Sequence, residues 1–209
     1  MNLLELHARS LELAAAVVDA VQPEQLVLPT PCGDWSLRRL LEHLVGQHRG
    51  FAAAAGGAGP DLAYWRDVPV HGDPAGAFRH SAGRLTAAFA VAVAAADPRP
   101  APLWLPEIRD DGPLPFDRAV GFHLLDTLVH AWDVAVALGS PARLVAAVES
   151  EPALAGTLLA LAGAVPAGTA DRAPGRAFAA VRAAGEAAGP FDRALALLGR
   201  DPAWAVPVG

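Results

Sequence analysis

HLLDTLVHAWD, residues 123–133, combines the pattern of a buried helix with potential metal ligands. Its leucines recur at intervals of three and four residues, which predicts a helix packed into a core. His123, Asp126 and His130 interrupt the apolar pattern at the same intervals. At about 100° per residue these three side chains fall within about 60° of one another, beside the apolar stripe. Two explanations follow: a hydrogen-bonded polar network, or a metal site.

The composition favours helices. Of the 209 residues 53% are hydrophobic but only 6% are aromatic, because alanine contributes much of the total. Alanine is the best helix former, so we predict an all-α fold. The length suits one good-sized domain, with or without a small appendage.

Charge, hydropathy and cysteine usage exclude several classes of protein. A net charge of -6 provides no basic surface for phosphate backbones, so nucleic acid is not expected as a partner. No uninterrupted apolar stretch reaches about 18 residues, so no membrane partner is expected. Cys32 is the single cysteine, which rules out an internal disulfide and fits a cytoplasmic location.

Apolar periodicity and end signals predict a four-helix bundle over residues 1–140, with helices near 3–21, 36–55, 74–97 and 116–138. Asp34 or Ser36 begins the second helix, and Asp73 followed by proline begins the third. Residues 141–209 are expected to form a helical and irregular extension packed on the bundle. Within it, 165–190 holds a short strand or is irregular, and FDRALALL, residues 191–198, forms a last helix.

A second helix supplies a further potential ligand. His43 lies between Leu40 and Leu44 at the edge of that helix's apolar face. Helix bundles build metal sites from inward-facing side chains on neighbouring helices. Two imidazoles and one carboxylate with an open fourth position make a catalytic zinc site. An Asp and a His four residues apart also hydrogen-bond without any metal, so the alternative stays open.

The remaining histidines and the cysteine suggest structural positions. His48 lies nearer the middle of its apolar stripe and is expected to be an interior histidine or to line a cavity. His7, His71 and His80 are expected at the surface. Cys32 is expected to be a small packed thiol, because no base is evident beside it in the sequence.

Three stretches taken together carry a family resemblance. They are TPCGDWSLRRLLEHLVGQHRGFA (residues 30–52), HLLDTLVHAWDVAVALG (123–139) and DRALALLGRDPAW (192–204). In this order and spacing they resemble the actinobacterial metal-binding branch of the DinB-like superfamily. That branch is related to the metal-binding domain of mycothiol-dependent maleylpyruvate isomerase. The resemblance implies an up-down-down-up four-helix bundle that holds one divalent metal, usually zinc, at its open end.

The resemblance also implies the metal ligands. The family's first histidine corresponds to His43, and its carboxylate and second histidine correspond to Asp126 and His130. The isomerases carry glutamate where this chain has Asp126. Their C-terminal domain supplies a basic residue for the substrate; no arginine in this chain aligns with it, and Arg182 stands in as a guess.

The function implied is a thiol-dependent isomerase or transferase that acts on a small electrophilic metabolite. Mycothiol or another low-molecular-weight thiol would be the cofactor, bound as thiolate at the metal. His123 or His48 would orient a ligand or carry protons. Two alternatives remain: a metal-dependent hydrolase or lyase without a thiol, and a non-catalytic protein that binds a metal or metabolite. The chain is expected to be a monomer or a homodimer.

Overall fold

Short polar side chains begin the first three long helices, and the sequence predicts those of the second and third. Asn2 accepts the Glu5 backbone N–H and forms a capping box with that residue. Ser36 accepts the backbone N–H of Arg39, and Asp73 accepts that of Gly76. Each cap satisfies an N–H that has no partner inside the helix. The helix starts are therefore fixed locally.

The computed structural model describes residues 1–97, 99–109, 111–168, 172 and 178–206. Within these ranges there are seven α-helices and no β-strand, so the predicted all-α fold is confirmed. The helices are α1 (Leu3–Val18), α2 (Leu37–Ala55), α3 (Pro74–Ala94), α4 (Phe116–Ala137), α5 (Pro141–Glu149), α6 (Pro152–Gly163) and α7 (Pro190–Leu197).

The four long helices form the predicted bundle. α1 packs along α4 and α2 packs along α3, with smaller contacts between α1 and α3 and between α2 and α4. Of the 22 residues of α4, 17 are buried, which makes it the central helix. A helix that is buried on nearly all sides needs more neighbouring elements than the other three helices of the bundle. The shorter helices α5 and α6 contact α4, and α7 packs on α6.

Several boundaries differ from the predicted ones. The first helix ends at Val18 instead of residue 21, although Val21 is still buried in the core. The connection between α1 and α2 contains a 3₁₀ helix, Pro23–Val27, followed by a β-bridge between Pro29 and Ser36. Within the stretch 165–190, where a short strand was one of two alternatives, residues 178–189 form neither helix nor strand. Residues 169–171 and 173–177 of the same stretch lie outside the described residues.

No single helix in the described ranges is both long enough and apolar enough to cross a bilayer. The pair α5 and α6 meets that length and composition only jointly, with a bend of 103° between its members.

Two glycines of α2 allow the connection before α3 to pack directly on that helix. A Cβ on Gly46 would lie 2.7 Å from the Arg66 carbonyl oxygen, and one on Gly50 would lie 2.5 Å from the Trp65 ring. The Val68 N–H then donates to the Glu42 carbonyl at 3.0 Å. These close contacts hold residues 66–68 against the side of α2 that carries Glu42, Gly46 and Gly50.

Candidate metal centre

The structure brings His43 of α2 together with Asp126 and His130 of α4. Their potential ligand atoms all lie within 4.8 Å of one another. His130 Nε2 lies 3.4 Å from Asp126 Oδ1, and the two imidazole rings stand edge to face with centroids 5.4 Å apart. The side chains are 18%, 28% and 12% exposed for His43, Asp126 and His130, so the group opens to solvent on one side.

Asp126 is not satisfied by its protein neighbours. Its Oδ2 is buried and has no hydrogen-bond partner among the described residues. Burial by itself would raise the pKa of Asp126, but the neighbouring His130, whose own pKa is raised, lowers it, so the carboxylate is ionised. A buried ionised oxygen without a donor is costly. This environment fits a bound cation better than a self-contained polar network.

A second group of potential ligands shares His130 but is fully hydrogen-bonded. Asp133 Oδ2 accepts from His130 Nδ1 at 2.9 Å and from the Cys32 thiol at 3.0 Å. Arg200 donates to both carboxylate oxygens, at 2.9 Å from Nε and 2.8 Å from Nη2. Burial opposes ionisation of Asp133, yet Arg200 and His130 lower its pKa to about 2. Its lone pairs are occupied, so this group is a hydrogen-bonded network.

That network fixes His130. Because Nδ1 donates to Asp133, Nε2 is the nitrogen that faces Asp126. A carboxylate behind a histidine commonly sets the orientation of a metal ligand. Burial would lower the pKa of His130, but Asp126 and Cys32 outweigh burial and raise it well above its usual value.

His43 has a similar but looser arrangement. Its Nδ1 lies 3.7 Å from Asp67 Oδ1, in the connection that Gly46 and Gly50 allow to pack on α2. The Trp35 ring covers one side, with its centroid 4.9 Å from that of His43. Burial lowers the pKa of His43 and so favours the neutral imidazole that metals require.

The expectation that His7 lies at the surface is wrong. His7 is buried, and its Nε2 lies 2.9 Å from His123 Nδ1. α1 packs along α4 with this side chain facing the partner helix, a rotation that apolar periodicity alone did not reveal. Burial lowers the pKa of His7 to about 4. His71 and His80 are exposed, as predicted.

His48 is the interior histidine that the sequence predicts. Its Nδ1 lies 2.7 Å from Ser81 Oγ, and burial lowers its pKa to about 3. His123 is also buried, and its Nδ1 contacts His7 and Thr127. Neither His48 nor His123 hydrogen-bonds to the three clustered side chains within the described structure. Both lie behind the candidate centre, in the bundle interior.

Sequence reasoning gave no role to four side chains around the centre: Asp67, Glu107, Asp133 and Arg200. Glu107 comes from the long connection before α4 and accepts from Gln47 Nε2 at 2.6 Å. Burial raises the pKa of Glu107, and the nearby charges of Asp126 and Asp67 raise it further. Asp133 follows His130 by three residues on the helix, a spacing that signals contact. The other three have no such signal.

Arg182, guessed from the sequence as the basic residue for the substrate, stays a prediction in that role. It forms an exposed ion pair with Asp201 at 2.9 Å. Arg200 reaches Asp133 behind His130, because the chain reverses after α7. Gly199, with φ +77°, permits that left-handed turn, and the Arg200 N–H returns to the Leu195 carbonyl at 2.9 Å.

Comparison with known proteins identifies the family. The family described as the mycothiol maleylpyruvate isomerase N-terminal domain matches residues 7–135. The uncharacterized proteins Rv0738 and MT0763, from two strains of Mycobacterium tuberculosis, are each 31% identical over 201 residues. These alignments cover 96% of this chain and 98% of each relative. No solved structure matches. The chain therefore belongs to the mycothiol maleylpyruvate isomerase N-terminal domain family.

Proposed function

We propose that this protein is a zinc-dependent enzyme that uses a low-molecular-weight thiol to isomerise or conjugate a small electrophilic metabolite. The metal would be held by His43, Asp126 and His130. Family membership supports the chemistry, since the family is described by a mycothiol-dependent isomerase domain. The unpartnered Oδ2 of Asp126, beside two imidazoles, is the observation that carries the metal assignment.

The spacing of the side chains fits a metal that His43, Asp126 and His130 would hold through nitrogen and oxygen atoms. Zinc–ligand bonds of about 2.0–2.2 Å place neighbouring ligand atoms about 3.4 Å apart. His130 Nε2 and Asp126 Oδ1 are separated by 3.4 Å. The His43 ring is close enough to join them after a small side-chain movement, because all three groups lie within 4.8 Å. Three protein ligands leave a fourth position for a thiol or a substrate.

When bound, the metal supplies the positive charge that keeps a thiol sulfur in its thiolate form near neutral pH. The protein's own residues have separate tasks. Asp133 and Asp67 orient the two histidines, and Trp35 shields one side from water. Glu107 is the best-placed proton carrier. Burial raises its pKa towards neutral pH, and its carboxylate lies near Asp126.

For His48 and His123 the sequence allowed two roles, to orient a ligand or to carry protons. We propose that both have a positioning role. Burial lowers the pKa of both rings, so both are neutral and are weak bases. Their ring centroids lie 5.3 Å apart, across the contact between α2 and α4. We assign them to holding α2 and α4 at the spacing that the ligands need.

Elemental analysis of untagged protein tests the metal. We expect about one zinc ion per chain in wild type, and loss of that zinc in Asp126→Asn and His43→Gln, because each removes a ligand. His71→Gln, at an exposed histidine, is the matched control and keeps the metal. Zinc retained at full stoichiometry by Asp126→Asn would contradict the assignment.

Turnover assays test the thiol. Zinc-loaded protein is incubated with a panel of electrophilic unsaturated acids and halides, with and without mycothiol, and loss of substrate is measured. We expect thiol-dependent consumption that Asp126→Asn abolishes. Stoichiometric zinc without any thiol-dependent reaction would overturn the thiol assignment.

Reaction in the absence of thiol would favour the hydrolase or lyase instead. A large loss of stability in Asp126→Ala without any activity to lose would favour a non-catalytic protein.

A further inference from the structure

A cavity lies between α2 and α3, away from the candidate metal centre. Its volume is about 510 Å³. Val45 lines it and lies about 160° around α2 from His43, so the cavity and the centre occupy opposite sides of that helix. The polar residues of its wall are His48, Arg49, Tyr64, His80, Ser81 and Arg84.

The charge of this cavity is unlike that of the whole chain. The protein has 22 acidic and 16 basic residues, yet two arginines and no carboxylate line the cavity. Arg49 belongs to α2 and Arg84 to α3, so each helical wall contributes one exposed arginine. Neither forms an ion pair with another described residue. Two arginines without an acidic partner beside one cavity favour a carboxylate or phosphate as its ligand.

The inner wall has a different chemistry. Half of its lining residues are valines and alanines, such as Val45, Val68 and Ala88. Ser81 Oγ lies 2.7 Å from His48 Nδ1 and donates to the Phe78 carbonyl at 2.9 Å, whereas His48 Nε2 is buried without a hydrogen-bond partner among the described residues. The cavity therefore offers an apolar interior with a positively charged rim. Its volume lies within the range of small-molecule pockets.

We propose that this cavity binds a small amphipathic organic anion. Arg49 and Arg84 hold its carboxylate or phosphate at the rim, and its hydrocarbon part packs against the valines and alanines inside. The site is separate from the metal centre and does not depend on the function proposed for that centre.

Calorimetric titration with three probes of equal chain length tests the ligand class. The probes are hexanoate, hexyl phosphate and the neutral hexanamide, each added to the full-length protein. We expect at least one anion to bind, at least tenfold more tightly than hexanamide, and the tighter anion identifies the head group. Equal affinity for hexanamide, or no binding of either anion at millimolar concentrations, would overturn the proposal.

Variants assign the binding to this cavity. The double variant Arg49→Gln with Arg84→Gln is expected to weaken anion binding at least tenfold, and Ala88→Leu to weaken it by filling the interior. The double lysine variant keeps the charge and part of the affinity. Arg118→Gln, at an exposed arginine of α4, is the matched control. His43→Gln changes only the metal centre, so both variants should keep the wild-type affinity for the anion. Wild-type affinity in the double glutamine variant would refute the site.

Discussion

Asp133 is the side chain on which the polar interior of α4 depends. Its carboxylate is fully buried and accepts from Arg200, His130 and Cys32. Asp133→Asn would leave the Arg200 charge buried without its partner. Breaking a buried ion pair in this way costs about 3–5 kcal/mol. We expect a loss of that size in the free energy of unfolding, measured by chemical denaturation.

The exposed pair between Arg182 and Asp201 is the matched control for Asp133. Its side chains are 51% and 38% exposed, so water screens the interaction. Asp201→Asn should cost about 0–1 kcal/mol. Equal losses in the two variants would mean that burial of Asp133 and Arg200 does not set their contribution.

Asp67 tests whether a residue that does not bind the metal itself affects the zinc affinity of the centre. It lies 3.7 Å from His43 Nδ1, where it can orient the ring. We expect Asp67→Asn to weaken zinc affinity about tenfold or more, as for other carboxylates behind ligand histidines. Competition with a chromogenic chelator measures the affinity. Asp117→Asn, at an exposed carboxylate in the first turn of α4, should leave it unchanged.

At the scale of elements, the contact between α2 and the connection before α3 depends on the lack of a side chain. A Cβ on Gly50 would lie 2.5 Å from the buried Trp65 ring. Gly50→Ala should therefore lower the free energy of unfolding by about 1–3 kcal/mol, the usual cost of overpacking. Thermal and denaturant unfolding measure this loss.

Gly83 of α3 provides the opposite case. It is exposed, and a Cβ there would meet nothing within 4 Å. Gly83→Ala should stabilise the protein by up to about 1 kcal/mol, because alanine is the better helix former. If Gly50→Ala also stabilised the protein, the close packing of Trp65 on α2 would be wrong.

For the whole molecule, the buried histidines predict acid sensitivity. The folded pKa values of His7 and His48 are about 4 and about 3, below the ordinary value of 6.5. Between pH 6.5 and 4 the unfolded chain binds more protons, so stability falls as the pH is lowered through this window. Metal-free protein should lose about 3–5 kcal/mol between pH 7 and 4.5.

Denaturant unfolding at several pH values checks this dependence. His48→Gln should remove a large part of it, whereas His80→Gln, at an exposed histidine, should not. His130 acts in the opposite direction, because its folded pKa is raised. Its contribution is complete below pH 6.5 and is lost as the pH rises, so it does not cause acid unfolding. A stability that is flat between pH 7 and 4.5 would contradict the burial of neutral histidines.

The sequence by itself determined the all-α fold, the starts of the long helices and the chain segments that carry His43, Asp126 and His130. Caps, prolines and apolar periodicity act between residues close along the chain, so the local sequence specifies them. The link from those segments to one metal came from family resemblance, because spacing along α4 fits a metal and a hydrogen-bonded pair equally well.

Only the tertiary structure decided which distant side chains meet. The rotation of α1 buries His7 against α4, the turn at Gly199 brings Arg200 to Asp133, and irregular connections deliver Asp67 and Glu107. Periodicity gives the face of a helix but not its neighbour or its rotation against that neighbour, and a connection has no period to read. These contacts depend on the packing of the whole chain, which is why no short stretch encodes them.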